Sequence, residues 1–231
     1  MKEKAEYVHG GDVYHNSVEL DFSVNSNPLG MPRRSIGEAV RGVKLSGQYP
    51  DYRGEELCRE LAAWEKVNSS NVLLGNGSAE LIYALCFAVK PKKCLTLAPT
   101  FQEYARAVQA VGGQTEFVNL RERDCFRTPD SILAAIEEDT DIVFICNPNN
   151  PTGLLIDQEL LLRILGEAVR CGILLVLDEC FLDFTGQEER SLISYIKETK
   201  NLFILKSFTK MYAMPGLRLG YGISSNRELL V

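Results

Sequence analysis

Histidine is nearly absent: the 231 residues hold only two, His9 and His15, both near the N-terminus. A Ser-His-Asp or Cys-His catalytic site in the body of the chain is thereby all but excluded, as is a multi-histidine zinc site. Proton transfer in the body must fall to Lys, Asp, Glu, Tyr or Cys. The seven cysteines, at 58, 86, 94, 125, 146, 171 and 180, are scattered singly and form no C-x-x-C. An odd, unpatterned set lying mostly in apolar runs reads as small hydrophobes in a reducing cytoplasm, not as a disulfide framework or a metal cluster. No apolar run is long enough to cross a bilayer, and the opening Met1-Lys2-Glu3-Lys4-Ala5-Glu6 lacks the apolar stretch of a secretion signal. A formal net charge of -6 argues against a nucleic-acid or anionic-membrane surface. There is no G-x-x-x-x-G-K-[ST] phosphate loop, no internal repeat and no low-complexity tract. A cytoplasmic protein that binds neither nucleic acid nor membrane is the expectation.

What is present has the balance of an ordinary globular protein, 45% hydrophobic and 24% charged, enough for one large core or two modest ones. Residues 1 to 48 are rich in Gly, Asn, Ser and Pro, with a short helix expected over Ser35 to Leu45. Beyond Gly54, helices and strands alternate. The periodicity predicts helices over Glu55 to Lys66 (Leu57, Leu61 and Trp64 on one face), Ser78 to Val89, Gln102 to Val111, Ser131 to Glu137 and Asp157 to Arg170. Strands are expected at Val72 to Leu74, Cys94 to Ala98, Thr115 to Val118, Asp141 to Cys146, Ile173 to Leu177 and Asn201 to Leu205. Runs such as Ile142-Val143-Phe144-Ile145 do not alternate with polar residues, so they are buried on both faces. The fold class is therefore α/β, a largely parallel sheet covered by helices on both sides. Ligands in such sheets bind beyond the carboxyl ends of the strands.

The informative residues lie at those ends. After the strand Leu202-Phe203-Ile204-Leu205 comes Ser207-Phe208-Thr209-Lys210, with Arg218 eight residues after the lysine. A hydroxyl and a guanidinium can hold a phosphate while an amine is presented beside it, as a Schiff-base enzyme using pyridoxal phosphate (PLP) requires. Alone, such a lysine would be a solvated turn residue. Gly75-Asn76-Gly77-Ser78-Ala79-Glu80 leads from a strand into a helix, where free N–H groups attract an anion. It departs from a dinucleotide fingerprint, because Glu80 stands where the last glycine belongs and Thr96-Leu97-Ala98-Pro99 ends the next strand without an acid. Asn147-Pro148-Asn149-Asn150-Pro151-Thr152-Gly153 is a rigid turn that either only reverses the chain or aims the Asn150 amide into a site. Asp178, directly after a buried strand, needs a partner. Phe101, in Pro99-Thr100-Phe101, either packs in the core or stacks on a planar ligand.

Taken in order, G-N-G-S, an aromatic after P-T, N-P-T-G, D-E-x-F, S-x-x-K and the following Arg resemble the class I/II aminotransferases, the fold type I PLP enzymes. The resemblance runs from about residue 8 to the end. It implies a three-layer α/β/α sandwich with a largely parallel mixed sheet, preceded by an N-terminal arm. Residues 1–48 would be that arm and part of a small domain, and residues 49–231 an incomplete PLP-binding large domain. Members of the family continue through a C-terminal small domain that supplies a carboxylate-binding arginine, so this part is expected to be missing here. By the same resemblance Lys210 is the Schiff-base lysine and general base, and Asp178 pairs with the pyridine nitrogen. Asn150 bonds the phenolic oxygen, with Phe181 beside it, and Phe101 stacks on the ring. Gly77, Ser78, Ala79, Ser207 and Arg218 cradle the phosphate. Tyr49, in Gln48-Tyr49-Pro50-Asp51, corresponds to a tyrosine that reaches the partner's cofactor across a homodimer. No metal is implied.

Two branches of the family are most similar, histidinol-phosphate aminotransferases and threonine-phosphate decarboxylases. The small-molecule substrate is thus expected to be an amino acid or amino-acid phosphate. Asn25 and Asn27, in Asp21-Phe22-Ser23-Val24-Asn25-Ser26-Asn27-Pro28-Leu29-Gly30, are candidate substrate contacts. His9 is either a contact for an anionic substrate group or a solvated N-terminal side chain. Transamination is placed first as the commoner activity of the family, with decarboxylation as the alternative. A PLP-binding module without catalysis is disfavoured by the acidic charge and the want of a DNA-binding helix pair. A nucleotide-dependent enzyme is disfavoured by Glu80. Phe181 stands where most aminotransferases carry a tyrosine, and so removes one donor to the cofactor's phenolic oxygen. Restoring the hydroxyl in Phe181→Tyr is expected to lower the pH midpoint of the visible cofactor band; coincident titrations of the two proteins would contradict this.

Overall fold

The strands that read as continuous apolar runs form the middle of a single seven-stranded sheet. In the computed structural model, which describes residues 10–12, 14, 15, 17 and 19–230, the strands are β1 (Val72–Gly75), β2 (Lys93–Ala98), β3 (Gln114–Asn119), β4 (Ile142–Cys146), β5 (Leu174–Asp178), β6 (Leu202–Ser207) and β7 (Gly220–Ser224). Their spatial order is β1-β7-β6-β5-β4-β2-β3. Strands β2 to β6 pair in parallel, whereas β7 runs antiparallel to both β6 and β1. Every residue of β4, β5 and β6 is buried.

The lack of alternation in these strands has a simple cause: each feeds two cores. Val143, Ile145, Leu175, Leu177 and Ile204 point into one cluster, which is closed by helices α2 (Glu55–Glu65) and α6 (Gln158–Cys171). Ile142, Phe144, Val176, Phe203 and Leu205 point into the other, beneath α3 (Ser78–Val89) and α4 (Glu103–Ala110). Period-two side-chain geometry and helices on both faces make the expected α/β/α sandwich. Burying each such Leu, Ile or Phe side chain is worth roughly 1.5–3 kcal/mol.

Local signals set the helix ends. Asp157 caps α6 by accepting hydrogen bonds from the N–H groups of Glu159 and Leu160, and Gly172 ends it in the left-handed conformation. The first helix, α1, spans Arg33–Lys44 directly after Pro32 and buries none of its residues. The segment expected as helix over Ser131 to Glu137 shortens to α5 (Ile132–Ala135).

One expectation is corrected, and one strand is added. Trp64 was placed on the buried face of α2, yet it is exposed. The packed stripe is Leu57, Cys58, Leu61 and Ala62, and Trp64 sits about a quarter turn away from its centre. Strand β7 was not anticipated, because two glycines among its five residues dilute the strand signal. Both glycines are demanded by close packing: a Cβ on Gly222 would lie 2.2 Å from the Phe203 ring, and one on Gly220 would lie 2.6 Å from the Ser78 nitrogen. Among the described residues, no helix is long and apolar enough to cross a membrane.

Candidate active site

The carboxyl ends of β2, β4, β5 and β6 open on one cavity of about 670 Å³. Ser78, Ala79, Phe101, Asn150, Asp178, Phe181, Ser207, Lys210 and Arg218 all line it, as does Asn25. These residues come from positions up to 193 apart in a chain whose parallel strands deliver every loop to the same edge. A second cavity, of about 600 Å³, is lined by Arg127, Asp130, Arg163 and Arg190 among others and holds none of the strand-end candidates. Arg163 there is paired with Asp130 at 2.7 Å.

One wall of the site is an anion cradle. Helix α3 starts at Ser78 after Gly77, whose φ of 84° is open to glycine and strained for other residues. Gly77 does not line the cavity; it makes room for Arg218, since a Cβ there would stand 2.6 Å from the guanidinium Nη2. Gly220 on β7 does the same for the Ser78 backbone nitrogen. Arg218, itself in the left-handed region with φ 53°, donates from Nη1 to the Pro215 carbonyl at 3.0 Å. A helix N-terminus, two hydroxyls (Ser78, Ser207) and a guanidinium thus converge at one end of the cavity.

The Asn147–Gly153 turn divides its asparagines by task. Asn147 is buried and accepts from the Ile156 N–H at 2.8 Å. Asn149 is buried too, donating to the Pro99 carbonyl and accepting from the Thr100 hydroxyl at 2.8 Å. Asn150 is the one of the three that lines this cavity. The two locked amides hold it there.

Asp178, at the end of the central strand, is 5% exposed. Its Oδ2 accepts from the Tyr104 hydroxyl at 2.7 Å and its Oδ1 from the Cys180 N–H at 3.0 Å. The adjacent Glu179 points away from the cavity, as the pleat requires. It meets Lys206 at 3.4 Å and accepts from the Ser191 hydroxyl at 2.6 Å and the Leu192 N–H. Lys206 also meets Asp183 at 3.4 Å. Burial works against the charge on Lys206, but Glu179 and Asp183 outweigh it and hold its pKa above the ordinary lysine value. One pleat therefore gives two lysines two fates, Lys206 sealed in an ion-paired core and Lys210 open to the cavity.

Lys210 is partly buried, with Nζ 5.6 Å from the centre of the Phe181 ring. Burial lowers its pKa, and the Arg218 charge adds to the effect against the opposing pull of Asp178. The loop that carries it is braced by Asn27, whose N–H donates to the Lys210 carbonyl at 3.0 Å and whose amide donates to the Met211 carbonyl at 2.9 Å. Asn27 was expected as a substrate contact; it does not line the cavity and is committed to this brace. Tyr49 is fully exposed on its own chain and outside the cavity. His9 lies outside the described residues.

Thr209, Thr100, Arg106 and the carboxylate partner Tyr104 belong to the site and its wall but were missed in the sequence. Tyr104 had one signal: a hydroxyl on the face of α4 that Ala107 and Val108 otherwise make apolar. Among the described residues, no group of His, Cys, Asp or Glu side chains could hold a metal ion.

The mixed seven-stranded sheet between helices, with this cavity at its carboxyl edge, is the PLP-dependent transferase fold. The sequence profile of aminotransferase class I and II matches residues 18–230, and the chain belongs to that family, whose members depend on PLP. It is 38% identical over 226 residues to threonine-phosphate decarboxylase of Salmonella typhimurium, covering 94% of this chain and 62% of that protein. It is 32% identical over 230 residues to histidinol-phosphate aminotransferase of Caldanaerobacter subterraneus, covering 97% of this chain and 64% of that protein. The crystal structure of histidinol-phosphate aminotransferase from Clostridium acetobutylicum superposes with a TM-score of 0.81 at 33% identity, over 90% of this chain and 61% of that one. That of L-threonine-O-3-phosphate decarboxylase from Porphyromonas gingivalis gives 0.76 at 27%, over 89% and 60%. The chain thus spans under two thirds of the length of these relatives.

Because its folded pKa is depressed, Lys210 carries more free amine at pH 7–8 than the exposed lysines. Competitive labelling with an amine-selective reagent should modify Lys210 with a pH midpoint below theirs; a midpoint equal to or above theirs contradicts the electrostatic reading.

Proposed function

We propose that the protein is a PLP enzyme acting on an amino acid that carries a phosphate, with Lys210 as the amine that takes up the cofactor. The observation that carries this is the convergence of Lys210, Asp178, Asn150, Phe101 and the α3–Arg218 cradle on one cavity. When bound, PLP supplies an aldehyde carbon for amines and a ring that withdraws electrons from bonds to the substrate's α-carbon.

The side chains divide the remaining work. The Ser78 and Ala79 N–H groups, Ser207 and Arg218 hold the phosphate, and Phe101 covers one face of the ring. Asp178 keeps a proton at the ring nitrogen. Asn150 donates to the phenolic oxygen without the help that a tyrosine at 181 would give. Lys210, partly desolvated and short of its ordinary pKa, is left as a base able to move a proton at the α-carbon or its neighbour.

Decarboxylation of an amino-acid phosphate is the reading favoured by Phe181 and by the 38% identity to two threonine-phosphate decarboxylases, one of them putative. Transamination is the second reading, supported by histidinol-phosphate aminotransferases at 32–34%. The proposal extends to a homodimer in which the exposed Tyr49 reaches the partner's cofactor, and to residues 1–48 as an arm shared with a second domain.

Titration with PLP should raise a visible absorption band that Lys210→Ala abolishes; an unchanged band in that variant defeats the assignment. With threonine phosphate, release of carbon dioxide supports the first reading. Conversion of histidinol phosphate to the corresponding ketone, with its amino group passed to an added 2-keto acid, supports the second.

A further inference from the structure

Tyr104 is fully buried and touches two parts of the site, Asp178 and Phe101. Its hydroxyl donates to Asp178 Oδ2 at 2.7 Å. Its ring lies parallel to Phe144 of β4, with centroids 5.0 Å apart and planes 7° apart. Its edge meets Phe101 at 5.5 Å and 82°. Helix α4 thus carries a rigid spacer that fixes the distance between the ring-covering Phe101 and the carboxylate. Burial and the neighbouring Asp178 charge push the phenol well above its ordinary pKa, so it remains a donor.

We propose that Tyr104 is a positioning residue that, with the Cys180 N–H, locks both oxygens of Asp178 and so keeps the shared proton on the cofactor's ring nitrogen. The reason is chemical. Each donor to a carboxylate stabilises its anionic form, and a proton shared between a carboxylate and a pyridine then resides on the pyridine. With the Tyr104 bond removed, Oδ2 loses a buried donor and competes better for that proton. The carboxylate is also freed to rotate about its remaining bond to Cys180. This inference rests on the PLP reading and deepens it.

Tyr104→Phe keeps the ring, its stack on Phe144 and its contact with Phe101, and removes only the hydroxyl. PLP binding, followed by the visible band, should weaken about tenfold, the equivalent of one charge-assisted hydrogen bond. The ¹⁵N resonance of ring-labelled PLP should move toward the unprotonated pyridine position. In an Asp178→Asn background the same substitution should change PLP affinity less than twofold, since Tyr104 acts through the carboxylate. A merely structural tyrosine would lower thermal stability, leave the ¹⁵N position unchanged and act equally in both backgrounds; that pattern overturns the inference. If the unaltered protein raises no band with PLP, the cofactor reading falls and takes this one with it.

Discussion

A carboxylate is held out of water at the end of the central strand, and the fold is arranged around that constraint. Asp178 stands on β5, the fourth of seven strands, where burial without partners would be costly. Two donors relieve it, and they come from different layers: the Cys180 N–H from the chain that continues beyond β5, and the Tyr104 hydroxyl from α4. Helix α4 must therefore pack at one height on the sheet. Phe101 and Thr100, just ahead of it, are carried to the cavity wall by the same docking.

The pleat then partitions charge. Asp178 and Ser207 face the cavity, while their neighbours Glu179 and Lys206 face the other way and pair with each other and with Asp183. Leaving either partner of such a buried pair alone costs about 3–5 kcal/mol in other proteins, so this pairing holds β5, β6 and the turn after Phe181 in one arrangement. Above them Asn27 clasps the lysine loop, and Gly77 and Gly220 let α3 and Arg218 close on the same space. Polar groups behind the sheet edge fix the backbone, and those in front are left for a ligand.

Much of this was legible in the residues. Apolar runs without alternation gave the parallel sheet, and glycine, proline and asparagine clusters marked the strand ends where the site lies. What escaped has a physical explanation in each case. Strand β7 was hidden because Gly220 and Gly222 answer to neighbours, Ser78 and Phe203, that are far away in sequence. Asn27 reads like a ligand contact, but its bonds to the lysine loop depend on a long-range approach that spacing does not encode. Nothing adjacent to Tyr104 in the sequence names its partner, and only the position of Asp178 gives its hydroxyl a purpose. Short-range chemistry is written in order along the chain; partners that meet across the sheet are not.

The central claim is that Lys210, not its neighbour Lys206, is the amine this site offers. Reducing the PLP-loaded protein with borohydride, digesting it and locating the phosphopyridoxyl group by mass spectrometry tests it directly. The group is expected on Lys210 alone; a label on Lys206 or another lysine, or no stable label, would contradict the assignment.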